Sequence, residues 1–177
     1  PFAIGSDTGD SIRKPASFGG VVGFKPTYGR ISRYGLFAFA SSLDHVGVFT
    51  RSVKDAAIVT DIVKGYDSKD MTSLKDDSKS YVEELEKPLT QKKLCYIKEY
   101  QDSEVIETLT KFHELLDKCR SQGFEVAEVS MDKELLDAIY PTYMIISCAE
   151  ATSNNANLTG IQFGPRGDGD SIDEIMF

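Results

Sequence analysis

The chain has 177 residues, of which 41% are hydrophobic and 27% are charged, and its net charge is −8. These values are typical of a globular domain and exclude a fibrous or disordered chain. The acidic balance argues against a protein that binds nucleic acid through phosphate contacts alone. The three cysteines lie far apart and no apolar segment reaches about 18 residues, so we expect a soluble, intracellular protein without disulfides.

The first residues, PFAIGSDTGDSIRK, start without a methionine and inside an apolar run, which favours a piece of a longer protein. Gly5 and Gly9 flank a cluster of Ser, Asp and Thr, a pattern that predicts a tight turn after a strand. The backbone N–H groups of such a turn bind negative charge, either a phosphate or the oxyanion of an acyl transfer. Because the G-x-x-x-x-G-K-[ST] phosphate motif is absent, the sequence favours acyl transfer, with an ordinary polar turn as the alternative.

Ser11 follows this turn and is the candidate nucleophile. Its surroundings, GDSIR, lack the G-x-S-x-G pattern of hydrolase elbows. His45 directly follows Asp44, a spacing that rarely lets a carboxylate orient an imidazole, and His113 lies in a predicted amphipathic helix. A Ser-His-Asp triad is therefore not expected.

The helices and strands after the turn are predicted from hydrophobic periodicity and from glycine and helix-capping residues. Residues 18–49 are rich in glycine, β-branched and aromatic residues and predict short buried strands joined by turns. A helix capped by Ser52 is expected within residues 51–65. Residues 66–93 are polar and predict a surface loop with at most one short helix, at residues 81–86.

Residues 94–130 predict a strand, an amphipathic helix and a second strand. This βαβ order favours two parallel strands with a right-handed crossover. Residues 131–177 are expected to hold helices and part of a pocket, with one helix over 133–140 and another restarting at Pro141.

The stretch GDGDSIDE contains the carboxylates of Asp168, Asp170 and Glu174. Closely spaced carboxylates are also compatible with a calcium-binding loop. The glycine and one carboxylate of an EF-hand are missing, so this alternative is weak.

The stretch GSDTGDSIRKPASFGGVVGFKPTYGRISRYG resembles the core of the amidase signature family. The usual family motif is G-S-D-T-G-G-S-I-R-x-P-A, followed by G-x-K-P-T-x-G-R-x-S. The stretches FASSLDHVG, GYDSKDMTS and YMIISCAEATSNNANLTGIQFG resemble one branch, the A subunits of glutamyl-tRNA(Gln) amidotransferases. The resemblance implies a single, partial amidase domain over residues 1–177, with an α/β fold in which helices cover both faces of a mixed β-sheet.

The resemblance also implies a Ser-cisSer-Lys triad that works without histidine. The roles it implies are Ser11 as acyl-ester nucleophile, the backbone N–H groups of Thr8, Gly9, Asp10 and Ser11 as oxyanion hole, Asp7 and Arg13 as braces of the loop, and Tyr143 as part of a glutamine pocket. The lysine base and the bridging serine precede Pro1 in the family, and neither Lys14 nor Lys25 is expected to replace the base. The isolated chain is therefore expected to be inactive. It is also expected to be unstable or to aggregate, because strands at its cut edge would lose their neighbours.

Asp10 stands where the family has glycine. A carboxylate beside an oxyanion is expected to oppose the developing charge unless it points away or is paired.

The function implied is hydrolysis of glutamine, with the ammonia used to convert Glu-tRNA(Gln) to Gln-tRNA(Gln). The implied partners are B and C subunits in a heterotrimer, with tRNA contacted indirectly and no membrane. This chain is expected to bind no metal or cofactor directly, since the complex uses ATP and Mg²⁺ through the B subunit. The implied location is the bacterial cytoplasm or a eukaryotic organelle. The alternatives are a stand-alone amidase acting on small amides and a non-catalytic scaffold.

Overall fold

The computed structural model describes residues 1–75, 79–101, 105–158 and 168–176. Two compact units are present, one comprising Pro1–Glu86 and Tyr143–Phe177 and the other Lys87–Thr142. Each unit contains strands and helices, so the chain has the α/β class that the sequence predicts. In the described ranges, no helix is both long and apolar enough to cross a membrane.

The first unit is built on a three-stranded antiparallel sheet with the order β1-β3-β2. The strands are β1 (Ala3–Asp7), β2 (Val22–Phe24) and β3 (His45–Thr50). β3 is central, and its register places His45 opposite Asp7, the last residue of β1. The turn predicted between Gly5 and Gly9 thus begins only at Thr8, because Gly5, Ser6 and Asp7 are still part of β1.

The short strands joined by turns that are predicted for residues 18–49 are present as β2 and β3, but residues 25–44 between them contain turns and no strand. Gly29 and Gly35 have φ angles of 77° and 88°. These lie in the left-handed region that glycine favours, and they interrupt an extended chain. The buried Asp44 carboxylate accepts two backbone N–H groups at the end of the segment, bonds that a neighbouring strand would otherwise supply.

Two helices pack with this sheet, α1 (Arg13–Gly19) and α2 (Val53–Val63). α2 begins as predicted, because the Ser52 hydroxyl accepts the N–H group of Asp55 at 3.1 Å. Its buried side chains, Ala56 and Val59, pack against Val48 of the central strand. These three residues form a core cluster of the first unit.

The polar segment after α2 contains the short helix that the sequence predicts, α3 (Tyr81–Leu85). Asp61 of α2 accepts the N–H group of Tyr81 and the hydroxyl of Ser80, both at 2.8 Å, and Lys64 lies 2.9 Å from the same carboxylate. Burial alone would raise the pKa of Asp61, but the Tyr81 N–H group and the Lys64 ammonium hold it below its ordinary value. One carboxylate thus joins two helices.

The second unit contains the predicted βαβ arrangement. Its elements are β4 (Lys93–Ile97), a 3₁₀ turn (Lys98–Gln101), α4 (Ile106–Ser121) and β5 (Glu125–Val129). The two strands are parallel, with Cys95 opposite Ala127. The apolar face predicted for α4 comprises Val105, Leu109, Phe112, Leu116 and Cys119. Leu116 is buried and Leu109, Phe112 and Cys119 are partly buried, which confirms most of this face, whereas Val105, which precedes the helix, is exposed.

The two helices predicted on either side of Pro141 are one helix, α5 (Lys133–Asn155). The prediction was wrong because a proline disfavours a helix interior without excluding it, and this 23-residue helix continues on both sides of Pro141. Residues 133–142 of α5 belong to the second unit and residues 143–155 to the first. The last described helix is α6 (Ile172–Met176).

Candidate active site

Ser11 lies in the connection between β1 and α1. The strand ends at Asp7, the chain bends at residues 8–10, and α1 begins at Arg13. Ser11 is exposed, and none of the described residues hydrogen-bonds its hydroxyl. Residues 8–11, called the nucleophile turn below, therefore present an accessible serine at the position where the sequence predicts a nucleophile.

Asp7 holds the chain just after the nucleophile turn. Its side chain has no exposed surface, and it accepts the N–H group of Ile12 at 3.0 Å and the guanidinium of Arg13 at 3.1 and 3.2 Å. Arg13 also donates to the carbonyl of Gly9. Burial would raise the pKa of Asp7, but the bonds from Arg13 and from the Ile12 N–H group hold it below its ordinary value. Asp7 and Arg13 contact each other and the turn, as the sequence interpretation expects.

Ile12 anchors the turn to the sheet. Its side chain is fully buried. A Cβ atom at Gly47 would lie 2.6 Å from Ile12 Cδ1, and one at Gly23 would lie 2.7 Å from the Ile12 carbonyl oxygen. Because only glycine leaves this space, the strands fix the main chain next to Ser11.

The backbone N–H groups of residues 8–11 have no acceptor among the described residues. The next two N–H groups, those of Ile12 and Arg13, both donate to Asp7. An oxyanion hole requires N–H groups that no protein acceptor occupies. The nucleophile turn meets that requirement within the described structure.

Asp10 is exposed, and its carboxylate lies 3.6 Å from the ammonium of Lys14, one helical turn further on. A surface ion pair of this kind is weak, but it offsets part of the charge that would oppose an oxyanion. The expectation that Lys14 does not act as the base stays a prediction.

Tyr143 of α5 packs against the nucleophile turn. A Cβ atom at Gly9 would lie 2.7 Å from both Cζ and Oη of Tyr143. The structure thus brings Tyr143, Gly9 and Ser11 into one region of the first unit.

The model of the amidase family matches residues 1–177 of the chain. The chain belongs to the amidase family. It is 45% identical over 165 residues to the A subunit of the glutamyl-tRNA(Gln) amidotransferase of Staphylococcus epidermidis, an alignment that covers 93% of this chain and 34% of that protein. It is 44% identical over 179 residues to the A subunit of the Heliobacterium modesticaldum enzyme, covering 99% of this chain and 35% of that protein.

The crystal structure of the glutamyl-tRNA(Gln) amidotransferase A subunit from Thermotoga maritima is similar to the chain, with a TM-score of 0.79 and 40% identity. The match covers 89% of this chain and 34% of that structure, so the amidase signature fold is shown for this segment. The chain spans about a third of the length of the curated relatives it matches. Residues 159–164 of the last stretch that resembles the A subunits lie outside the described residues.

From the sequence of this amidase-family chain, Asp44 is notable only as the residue before His45. In the structure, the Asp44 carboxylate is 2% exposed and accepts the hydroxyl of Thr8 at 2.5 Å. The two residues are separated by 36 positions, so no local spacing could have revealed the contact.

His45 has other partners than Asp44. Its Nδ1 lies 2.6 Å from the carbonyl oxygen of Leu43, and its ring packs edge-on against Tyr28. Burial lowers the pKa of His45. These contacts agree with the sequence argument against a triad in which Asp44 orients the imidazole.

The calcium alternative is not supported by the described residues. The Glu174 carboxylate accepts the N–H group of Asp170 at 2.8 Å, and the Glu174 N–H group donates to the Ser171 hydroxyl at 3.3 Å. This reciprocal pair caps the start of α6. Within the part of the chain that the structure describes, no three His, Cys, Asp or Glu side chains come close enough together to hold a metal ion.

Proposed function

We propose that the chain carries the nucleophile of an amidase that hydrolyses the side-chain amide of glutamine. The observation that carries this proposal is the exposed Ser11, the last residue of a turn whose four N–H groups have no acceptor in the described structure. The family membership and the buried braces around the turn support it.

The proposed reaction has two steps. The Ser11 oxygen attacks the amide carbon as a base takes its proton, and the N–H groups of residues 8–11 stabilise the oxyanion. The C–N bond then breaks, and the nitrogen leaves with a proton as ammonia. Water hydrolyses the acyl-serine to glutamate and restores the Ser11 hydroxyl. By resemblance, the base is a lysine acting through a bridging serine. In family members, both residues precede the position that corresponds to Pro1.

Glutamine is the proposed substrate because the chain is 44–45% identical to A subunits of glutamyl-tRNA(Gln) amidotransferases. The position of Tyr143 beside Gly9 supports a role for its ring as one wall of the glutamine site. In the proposed complex, ammonia passes to a B subunit that uses ATP and Mg²⁺ to activate Glu-tRNA(Gln), and a C subunit completes the heterotrimer.

The decisive variant is Ser11→Ala in the full-length protein, with Ser17→Ala in α1 as the matched control. We expect Ser11→Ala to lower glutamine hydrolysis by at least about a thousandfold, because it removes the nucleophile, and Ser17→Ala to leave it unchanged. A fluorophosphonate should label the wild type at Ser11, as peptide mass spectrometry can show.

The same measurements separate the alternatives. Hydrolysis of small amides without any partner protein would favour a stand-alone amidase. A full-length protein with neither hydrolysis nor labelling would favour a scaffold and would refute the proposal.

A further inference from the structure

We propose that Asp44 is a positioning residue that holds the nucleophile turn through the hydroxyl of Thr8. This inference rests on the proposed function, because its consequence is measured on the same reaction. Asp44 lies in a turn far along the chain, and it does not belong to the motif around Ser11.

The Asp44 carboxylate is almost completely buried, and each of its oxygens is bound. Oδ1 accepts the Thr8 hydroxyl at 2.5 Å, and Oδ2 accepts the N–H group of Phe39 at 2.9 Å. The N–H group of Ala40 lies 3.2 Å from Oδ1 and 3.1 Å from Oδ2. Hydrogen bonds to an ionised acceptor are shorter and stronger than neutral ones, so this carboxylate is a firm anchor for Thr8.

The nucleophile turn is thus held by two buried carboxylates. Asp7 binds the N–H groups of Ile12 and Arg13, which follow the turn. Asp44 binds Thr8, the first residue of the turn. An oxyanion hole works only if its donors stay within about 2.7–3.1 Å of the developing charge, so a turn held at one end alone would lose catalytic geometry.

The turn that carries Asp44 is bonded to α5 through Ser42 and Phe39. The Ser42 N–H group donates to Glu150 at 2.9 Å, and the Ser42 hydroxyl donates to the same carboxylate. Asn154 donates to the carbonyl of Phe39 at 3.1 Å. The same helix places Tyr143 against Gly9, so α5 is the common support of the ring beside the turn and of the carboxylate that holds Thr8.

The experiment must separate positioning from general stabilisation of the fold. Thr8→Val keeps the shape of the side chain and removes only the hydroxyl, whereas Thr8→Ser keeps the hydroxyl. Ser52→Ala, which removes the cap of α2, is the matched control for lost stability away from the turn. Each variant is made in the full-length protein, and kcat and KM for glutamine, the rate of fluorophosphonate labelling and the melting temperature are measured.

We expect Thr8→Val to lower kcat and the labelling rate by about tenfold or more, with KM changed by less than about twofold. Thr8→Ser should restore most of the rate, and Ser52→Ala should lower the melting temperature without lowering kcat. A Thr8→Val enzyme with the wild-type kcat, or with a loss confined to KM, would overturn the proposal. So would an equal loss of kcat in Ser52→Ala, because that loss would report stability alone.

Asp44→Asn provides a second test if Thr8→Val does not fold. The amide keeps one acceptor oxygen but loses the charge, so we expect a smaller loss of kcat in the same direction, and an unchanged kcat would count against the proposal. Ser11→Ala keeps the two proposals distinct. If Ser11→Ala still hydrolyses glutamine, the proposed function fails; if Ser11→Ala is inactive while Thr8→Val and Asp44→Asn are fully active, only the role of Asp44 fails.

Discussion

Gly9 of the nucleophile turn has no room for a side chain. Its missing side chain leaves room for the ring of Tyr143, which a Cβ atom would approach to 2.7 Å. We expect Gly9→Ala to displace the ring or the turn and to lower kcat for glutamine by about tenfold or more, because small displacements of catalytic groups are costly.

Gly19→Ala, at the end of α1, is the matched control for this substitution. Its Cβ would meet only a Val21 methyl group at 3.9 Å, so the activity should stay at the wild-type level. Steady-state kinetics of both variants checks the prediction, and a Gly9→Ala enzyme as active as the control would contradict it.

Contacts within a local motif could be predicted, and contacts that depend on the tertiary fold could not. Asp7 and Arg13 belong to the family motif around Ser11, and the contact between them follows from that motif. The role of Ser11 as nucleophile stays a prediction. The partner of Asp44 is Thr8, 36 positions away, and only the folded chain brings them together. Local spacing carries no information about such a contact.

At the scale of elements, the helices and strands with clear periodicity or caps were predicted. The Ser52 cap located α2, and the spacing of Leu109, Phe112 and Leu116 located α4. Residues 25–44 contain no strand because their β-forming composition is overridden by left-handed glycines and by the Asp44 carboxylate. Pro141 was mistaken for a helix boundary because the low preference of proline for helix interiors is a local rule. It does not take into account the helical residues on both sides of Pro141.

The junction of α2 and α3 depends on one carboxylate. We expect Asp61→Asn to lower the free energy of unfolding of the full-length protein by about 1–3 kcal/mol, because hydrogen bonds to a charged acceptor are lost. Asp117→Asn on α4, which removes an exposed ion pair with Arg120, should change it by less than about 0.5 kcal/mol. Urea unfolding of both variants measures these differences.

The effect of Asp61 should also depend on pH in a defined direction. Its pKa in the folded protein lies below the ordinary value of 3.8, so its contribution to stability is complete above that value. As the pH falls from 3.8 through the folded-state pKa, the carboxylate is protonated. The difference in free energy of unfolding between wild type and Asp61→Asn should then become smaller. A difference in free energy of unfolding that stays constant or increases in acid would contradict the proposed role of the Asp61 charge.

At the scale of the whole molecule, the described core is small compared with the exposed apolar surface. The cluster of Val48, Ala56 and Val59 contains no large side chain. Several large apolar side chains are at least 75% exposed in the first unit, namely Phe18, Ile62 and Met71, and Ile106 is 78% exposed in the second. Exposed apolar surface of this extent is unusual in a stable monomer and promotes association.

We therefore expect the 177-residue chain, purified alone, to form associated species and to bind a hydrophobic dye strongly. It should also be inactive on glutamine, because no described residue hydrogen-bonds the Ser11 hydroxyl to take its proton. The full-length protein under identical conditions is the control and should bind the dye weakly. Light scattering after size-exclusion chromatography measures the association. A monomer that unfolds in a cooperative and reversible thermal transition would show that the small core is sufficient and would contradict the prediction.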